Sequence, residues 1–113
     1  MTKVDVTIRN LEEYLLEQYG QWATDHGLFM KLVEEIGEVA EVLNKRSGRK
    51  KASGDDSKVL LAEELADMIH YIVAIAAVNG IDLTETILQK DKRASIKYNH
   101  DRNLETFLVE KNR

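Results

Sequence analysis

Apolar residues recur at three- to four-residue intervals along most of the chain, which is the spacing of one face of an α-helix. This pattern predicts four helices, over residues 7–22, 28–46, 58–79 and 83–98. Thr7 and Asp82 occupy N-cap positions for the first and fourth helices, and Asn79 followed by Gly80 is a typical helix stop. Without a convincing strand, the sequence predicts one all-α, four-helix-bundle-like domain over residues 1–113.

Polar segments separate the predicted helices. The segment before the second helix closes with Gly27, which breaks the apolar pattern. Residues 47–57 combine glycine, serine and charge and predict a mobile loop. Residues 99–113 form a polar tail with few apolar positions, for which the pattern predicts no element. Three residues at the end of the loop are suited to capping the third helix: Asp55, Asp56 and Ser57.

Composition places the chain among globular proteins. Hydrophobic residues make up 43% and charged residues 32%, and no apolar run approaches the roughly 18 residues that span a bilayer. The first residues lack the apolar segment of a signal peptide, so we expect a cytoplasmic protein that does not contact membranes. The absence of cysteine excludes disulfides, thiolate catalysis and zinc–thiolate sites. A net charge of -4 argues against a nucleic-acid partner.

The second half of the third helix, over residues 71–78, is apolar on every side, which indicates burial all round. A small four-helix monomer rarely encloses one helix completely. We therefore expect a homodimer or homotetramer in which a partner subunit covers the remaining face. The alternative is a helix that is central within one chain.

The second helix crowds carboxylates together. Within KLVEEIGEVAEVLNK, Glu38 lies four positions from Glu34 and three from both Glu35 and Glu41, so like charges are neighbours on the helix surface. Each such pair costs a few tenths of a kcal/mol. A solvated acidic face is one interpretation. A cation site is the other, because clustered carboxylate oxygens hold hard cations.

A second acidic pair favours the cation site. Glu64 and Asp67 are spaced i, i+3 on the third helix and share one surface. They could face Glu35 and Glu38 across an antiparallel helix pair. Oxygen ligands without cysteine or a clear histidine set select Mg²⁺, or Mn²⁺, over zinc and copper. The alternative is two unrelated solvated faces.

These motifs, in this order, resemble those of the all-α nucleoside triphosphate pyrophosphohydrolases of the MazG type, which are similar to dCTP pyrophosphatases and dimeric dUTPases. The family pattern is EExxE on one helix and ExxD on the next, matched here by Glu34 to Glu38 and by Glu64 to Asp67. The resemblance spans residues 28–98 and includes the segment NGIDL. It implies an Mg²⁺-dependent hydrolysis of a nucleoside triphosphate to the monophosphate and pyrophosphate, in nucleotide-pool cleaning or control.

The resemblance also implies roles for single residues. Glu35, Glu38, Glu64 and Asp67 correspond to the Mg²⁺ ligands, and Glu34 to a glutamate that holds a further ion or activates the water. Basic residues of the fourth helix and an aromatic residue after the ExxD motif correspond to substrate contacts. A lone tryptophan could stack on the base, because aromatic faces bind bases. The candidate substrate-binding residues are Trp22, Tyr71, Asn79, Lys90 and Lys97, each of which has an ordinary packing, helix-ending or solvated role as its alternative.

Other functions stay open at this point. Phosphoribosyl-ATP pyrophosphohydrolase shares the architecture and the acidic motifs. A non-catalytic helical module could use the acidic face to bind a partner. A di-iron site is the weakest alternative, since His70 follows Asp67 at i, i+3 but the second helix lacks a matching histidine. The loop residues Arg49, Lys50 and Lys51 suggest closure over a phosphate ligand on the ground of charge and position.

Overall fold

The computed structural model describes residues 3–47 and 54–113. Within these ranges it contains five helices and no strand, so the all-α prediction is confirmed. The helices are α1 (Ile8–Tyr19), α2 (Asp25–Ser47), α3 (Gly54–Val78), α4 (Leu83–Lys97) and α5 (Leu104–Lys111).

The chain forms two compact units, the first ending at Ile81 and the second beginning at Asp82. In the first unit α3 packs against both α1 and α2. In the second unit α4 packs against α5. The expectation of one domain over residues 1–113 stays a prediction. The buried apolar side chains of the first unit come from all three of its helices: Leu15, Leu28, Val73, Ala74, Ala76 and Ala77.

Helix ends follow the capping chemistry of the sequence at three predicted positions. The Thr7 side chain accepts a hydrogen bond from the Asn10 backbone N–H at 3.1 Å and begins α1. Asp82 accepts from the Glu85 backbone N–H at 3.2 Å and begins α4. Gly80 has a φ of 67°, the left-handed conformation that ends α3. These three predictions are confirmed.

Two predicted helix boundaries were wrong. α1 ends at Tyr19 rather than at Trp22, and Gly20 is its C-cap. α2 begins three residues before the predicted start, because the Thr24 hydroxyl accepts a hydrogen bond from the Gly27 backbone N–H at 3.0 Å. Gly27 therefore lies in the first turn of α2 and does not interrupt the chain there.

The predicted loop over residues 47–57 is also too long. α2 continues to Ser47 and α3 begins at Gly54, so Asp55, Asp56 and Ser57 lie inside α3 and are not its N-cap. Residues 48–53, with Arg49, Lys50 and Lys51, lie outside the described residues. The predictions of loop mobility and of a basic closure fall on that segment.

The polar tail is not without structure. Its last part forms α5, which begins with a capping box. Asn103 Oδ1 accepts from the Thr106 N–H at 2.9 Å, and Thr106 Oγ1 accepts from the Asn103 N–H at 3.0 Å. The Leu104 N–H also donates to Asp91 Oδ2, at 2.6 Å, and so ties α5 to α4. The prediction missed this element because eight residues give too short a pattern.

The apolar half of α3 is buried on part of its circumference. Val73 and Ala74 are buried, but Ile72 remains 42% exposed and Ile69 remains 53% exposed. One chain therefore does not cover this helix completely, and the homodimer or homotetramer stays a prediction. None of the helices in the described part of the chain combines the length and apolar character that a bilayer crossing requires.

Two glycines predict opposite responses to the same substitution. A Cβ at either Gly37 or Gly80 meets no atom within 4 Å, so only backbone effects remain. Gly80→Ala should lower the free energy of unfolding by about 1 kcal/mol, because an L-residue disfavours a φ of 67°. Gly37→Ala, inside α2, should raise it by about 0.5–1 kcal/mol. Urea denaturation of both variants measures this, and changes of the same sign would contradict it.

Candidate functional site

Three carboxylates from two helices converge in the first unit. Glu35 of α2 and Glu64 and Asp67 of α3 each place one oxygen within 4.8 Å of the others. The spacing i, i+3 puts Glu64 and Asp67 on one face of α3, and helix packing brings Glu35 to that face. The prediction that the two acidic pairs face each other therefore agrees with this arrangement for three of the four residues.

Glu38 lies next to this group of three carboxylates, where it contacts Glu64. The two side chains line one cavity and share a hydrogen bond when Glu64 is protonated. The same cavity brings Lys45 close to Ser57, whereas Glu35 lies close to Asp67. Positions that rise along α2 thus meet positions that fall along α3, so the two helices are antiparallel, as predicted.

Two oxygens of this site are poorly satisfied. Glu35 Oε2 and Glu64 Oε2 are buried, and with both groups ionised neither has a hydrogen-bond partner among the described residues. Burying a carboxylate without a partner is unfavourable unless a proton or a cation neutralises it. A set of carboxylate oxygens with two unpartnered buried members fits Mg²⁺ or Mn²⁺.

The electrostatics of the metal-free site favour a proton. Hydrogen bonding to Glu38 and Glu35, followed by desolvation and by repulsion from the same two carboxylates, raises the pKa of Glu64 from 4.5 to about 8. Glu64 therefore holds its proton at neutral pH when no cation is present. The proton occupies a position that a divalent ion could take over.

Glu34 lies apart from this cluster. Its carboxylate forms an ion pair with Lys31 Nζ at 3.5 Å, and both side chains are exposed. Spacing i, i+1 from Glu35 turns Glu34 about 100° away on the helix. Its predicted role with a further ion or with the water stays a prediction.

Trp22 and Tyr71 line a single cavity of about 340 Å³. Tyr71 follows Asp67 by one helical turn, so the cavity opens about 6 Å along α3 from the carboxylates. The sequence predicted these two aromatics as separate contacts and did not predict the shared cavity. The other lining residues, which it did not assign to a site, are Tyr19, Ala23, Thr24, Gly27, Leu28 and Lys31.

A chain of ring contacts supports this cavity. Trp22 Nε1 donates to the Gln18 carbonyl at 2.9 Å, and the Trp22 ring lies 5.5 Å from the Tyr19 ring. Tyr19 Oη and His70 Nε2 are 2.7 Å apart. The His70 ring meets the Tyr71 ring edge-on at 4.9 Å. His70 thus belongs to an aromatic cluster, and the sequence had suggested only an iron ligand for it.

A second cavity of about 430 Å³ adjoins the carboxylates on their other side. It includes Glu38 and Glu64 of the acidic site and one lysine, Lys45. Lys45 Nζ lies 3.1 Å from Glu41 Oε1 in an exposed ion pair. The remaining lining residues are Glu41, Val42, Asp56, Ser57 and Leu60, so four carboxyl groups and one lysine line this cavity.

None of these distances or cavities places the other predicted substrate contacts at the site. The Asn79 side chain donates to the Ile75 carbonyl at 2.9 Å, as expected for a residue that ends a helix. It is about 18 Å along the α3 axis from Asp67. Lys90 and Lys97 lie on α4 in the second unit, where Lys97 Nζ lies 5.3 Å from the centre of the Tyr98 ring. All three roles stay predictions.

The fold and the paired acidic motifs are those of the all-α nucleoside triphosphate pyrophosphatase superfamily, as the resemblance predicted. Residues 23–98 match the family model described as the MazG nucleotide pyrophosphohydrolase domain, and the chain therefore belongs to that family.

Similar proteins agree with this assignment. The chain is 33% identical over 88 residues to dCTP pyrophosphatase 1 of Mus musculus and to that of Rattus norvegicus. These matches cover 74% of this chain and 52% of each relative, so the match spans about half the length of the curated relatives. The crystal structure of iMazG from Vibrio DAT 722 superposes with a TM-score of 0.65 at 28% identity, covering 84% of this chain and 100% of that one.

The proton on Glu64 predicts a pH dependence of stability. Between pH 4.5 and about 8 the folded, metal-free protein holds a proton that the unfolded chain has lost. The free energy of unfolding should therefore fall as the pH rises through this window. Glu64→Gln removes the titrating group and should flatten that part of the curve. Urea denaturation in EDTA at pH 6 and pH 8 measures the effect, and equal pH slopes in both proteins would contradict it.

Proposed function

We propose that this chain hydrolyses a nucleoside triphosphate between the α- and β-phosphates, releasing the monophosphate and pyrophosphate, in nucleotide-pool cleaning or control. Membership of the MazG family supports the reaction class. The order of three features along the α2–α3 pair is the observation on which the proposal rests.

That order matches the order of groups in a nucleotide. The aromatic cavity, with Tyr71 and Lys31, lies at one end. The carboxylates Glu35, Glu64 and Asp67 lie in the middle. The second cavity, with Lys45, lies at the other end. A nucleotide laid along the pair would place its base against the rings, its α-phosphate at the carboxylates and its leaving pyrophosphate towards Lys45. Because four carboxyl groups also line that end, the pyrophosphate would enter it with a bound cation.

The buried, unpartnered oxygens of Glu35 and Glu64 support Mg²⁺ as the cofactor, with Mn²⁺ as a substitute. Glu35, Glu64 and Asp67 would hold the ion. Such an ion supplies positive charge that offsets the charge on the phosphates.

We propose Glu38 as the general base that accepts a proton from the attacking water. This carboxylate faces Glu64 but lies outside the group of three, so it can accept a proton. Its position one turn along α2 from Glu35 keeps it beside the carboxylates that would hold the ion and the α-phosphate. A positioned general base contributes about 10²–10⁴ in rate.

The base is assigned to the cavity between Trp22 and Tyr71. Aromatic faces stack on any base, so the rings supply affinity, and the choice among bases falls to polar groups such as Lys31. The names of the relatives make dCTP the first substrate to test. Lys90 and Lys97 remain candidates for phosphate contacts.

The test is pyrophosphate release from a panel of NTPs and dNTPs with Mg²⁺ and then with EDTA. We expect metal-dependent release with the monophosphate as the other product. Phosphoribosyl-ATP is assayed beside the panel, and pyrophosphate release from that compound alone would identify it as the substrate. A folded protein that binds no Mg²⁺ and hydrolyses nothing would instead be a helical interaction module.

Three glutamine variants separate the roles of the carboxylates. Glu38→Gln should lower kcat by about 10²-fold or more while Mg²⁺ affinity stays within about threefold. Glu64→Gln should weaken Mg²⁺ binding, because it removes an anionic ligand. Glu63→Gln, at an exposed neighbouring glutamate, is the matched control and should change neither. Calorimetric Mg²⁺ titration and steady-state kinetics give both quantities, and full activity of Glu38→Gln would refute the assignment of the base.

The exposed apolar faces of α2 and α3 support a homodimer or a homotetramer. Leu65, Ile69 and Ile72 recur at i, i+4, i+7 and are each more than two-fifths exposed. Phe29, Val33 and Ile36 repeat this spacing on α2 and are also exposed. We propose that a second copy of the chain covers these stripes.

A charge in the apolar stripe should dissociate the oligomer. Ile69→Lys desolvates an ammonium group at the interface and is expected to give monomers with the helix content unchanged. Glu63→Lys, a lysine introduced at an exposed polar position of the same helix, should leave the assembly intact. Light scattering coupled to size-exclusion chromatography gives the mass. A monomeric parent protein at micromolar concentration would refute the proposal.

A further inference from the structure

One hydrogen bond joins α1 to α3 beside the aromatic cavity. Tyr19 Oη and His70 Nε2 are 2.7 Å apart, although 51 residues separate them in the chain. Their rings meet edge to face with the centroids 5.6 Å apart. Partial burial, with smaller effects from Tyr71 and Tyr14, raises the pKa of Tyr19, so its hydroxyl keeps its proton.

The bond lies at the centre of the contacts that hold the two walls of the cavity. On the α1 side the Tyr19 ring packs against Trp22. On the α3 side the His70 ring packs against Tyr71. Among the side-chain hydrogen bonds of the described cavity residues, the Tyr19–His70 bond is the one that joins the two walls. The Tyr19–His70 bond is therefore the described polar contact that acts on the spacing between the Trp22 and Tyr71 rings, beside the apolar packing of α1 on α3.

Packing restrains Trp22 less than the body of α1. Leu15 of α1 is fully buried, whereas Trp22 lies beyond the end of that helix and is 72% exposed. Its indole is attached to α1 through the Gln18 carbonyl, so it moves with that helix. Stacking on a base requires ring separations close to van der Waals contact, and contact energy falls steeply within an ångström.

We infer that His70 is a positioning residue for substrate binding. Through Tyr19 it fixes the distance between the aromatic walls, and through its place one turn after Asp67 it sets that cavity at a constant distance from the carboxylates. The inference rests on the proposed function, because it assigns a role within the same site. His70 itself need not touch the nucleotide.

Two variants remove the bond and leave the rings in place. Tyr19→Phe deletes the hydroxyl, and His70→Phe deletes the ring nitrogens. Each should raise KM about three- to tenfold, the range for losing one hydrogen bond, with kcat within about twofold. The double variant should resemble either single variant, because both remove one interaction. His70→Gln, whose amide can reach Tyr19 as donor or acceptor but which lacks the ring that contacts Tyr71, should restore part of the affinity.

The controls and a second readout separate positioning from general damage. Tyr14→Phe deletes an exposed hydroxyl on α1, and His100→Phe deletes an exposed imidazole; both should keep the parent KM. Trp22 is the single tryptophan, so quenching of its fluorescence by the nucleoside monophosphate follows binding without turnover. The affinity measured in this way should fall in parallel with the rise in KM.

The outcomes are distinct. An unchanged KM in folded Tyr19→Phe and His70→Phe proteins would overturn the inference, as would additive effects in the double variant or a loss confined to kcat. In these cases the parent enzyme still hydrolyses nucleotides and the proposed function stands. A parent protein that neither hydrolyses a nucleotide nor shows quenching would overturn the proposed function, and this inference with it.

Discussion

The carboxylate cluster between α2 and α3 is the constraint on which the rest of the structure depends. Glu35, Glu64 and Asp67 lie within ion-binding distance of one another, and two of their oxygens are buried without a partner. In the metal-free protein a proton on Glu64 relieves part of the repulsion. The apolar packing of α3 against α1 and α2 must offset the repulsion that remains among the carboxylates. Such a cluster is a local conflict of the kind that functional sites retain.

The two helices that carry the cluster are long and antiparallel. With 23 and 25 residues, α2 and α3 extend beyond the carboxylates in both directions, so packing on both sides helps to hold the repelling groups together. The extra length also creates space. One cavity lies towards Tyr71, and the other, towards Lys45, is lined in part by Glu38 and Glu64. A ligand with an aromatic end and a phosphate group that carries a cation meets the rings first and the carboxylates second.

Local patterns could predict the parts of this site that lie on one helix. The i, i+3 spacing of Glu64 and Asp67 places both on one face, and the capping residues Thr7 and Asp82 mark helix starts. Local patterns failed where a weak signal competed with a stronger one. Gly27 looked like a break, yet the Thr24 cap begins α2 before it. The short α5 depends on a capping box and on the Leu104–Asp91 bond rather than on apolar periodicity.

Tertiary pairings could not be predicted from spacing at all. Tyr19 reads as one more apolar position of a first helix, and His70 reads as a polar residue near the ExxD motif. Only the packing of α1 on α3 brings them within 2.7 Å. The consequence is a division of labour along the chain. Acidic motifs, which repel one another locally and leave a visible pattern, mark the cation site. Aromatic and histidine side chains follow the ordinary pattern of each helix. Their shared site is visible only in the structure, where α1 packs on α3, the Tyr19, Trp22 and Tyr71 rings line one cavity and His70 bonds to Tyr19.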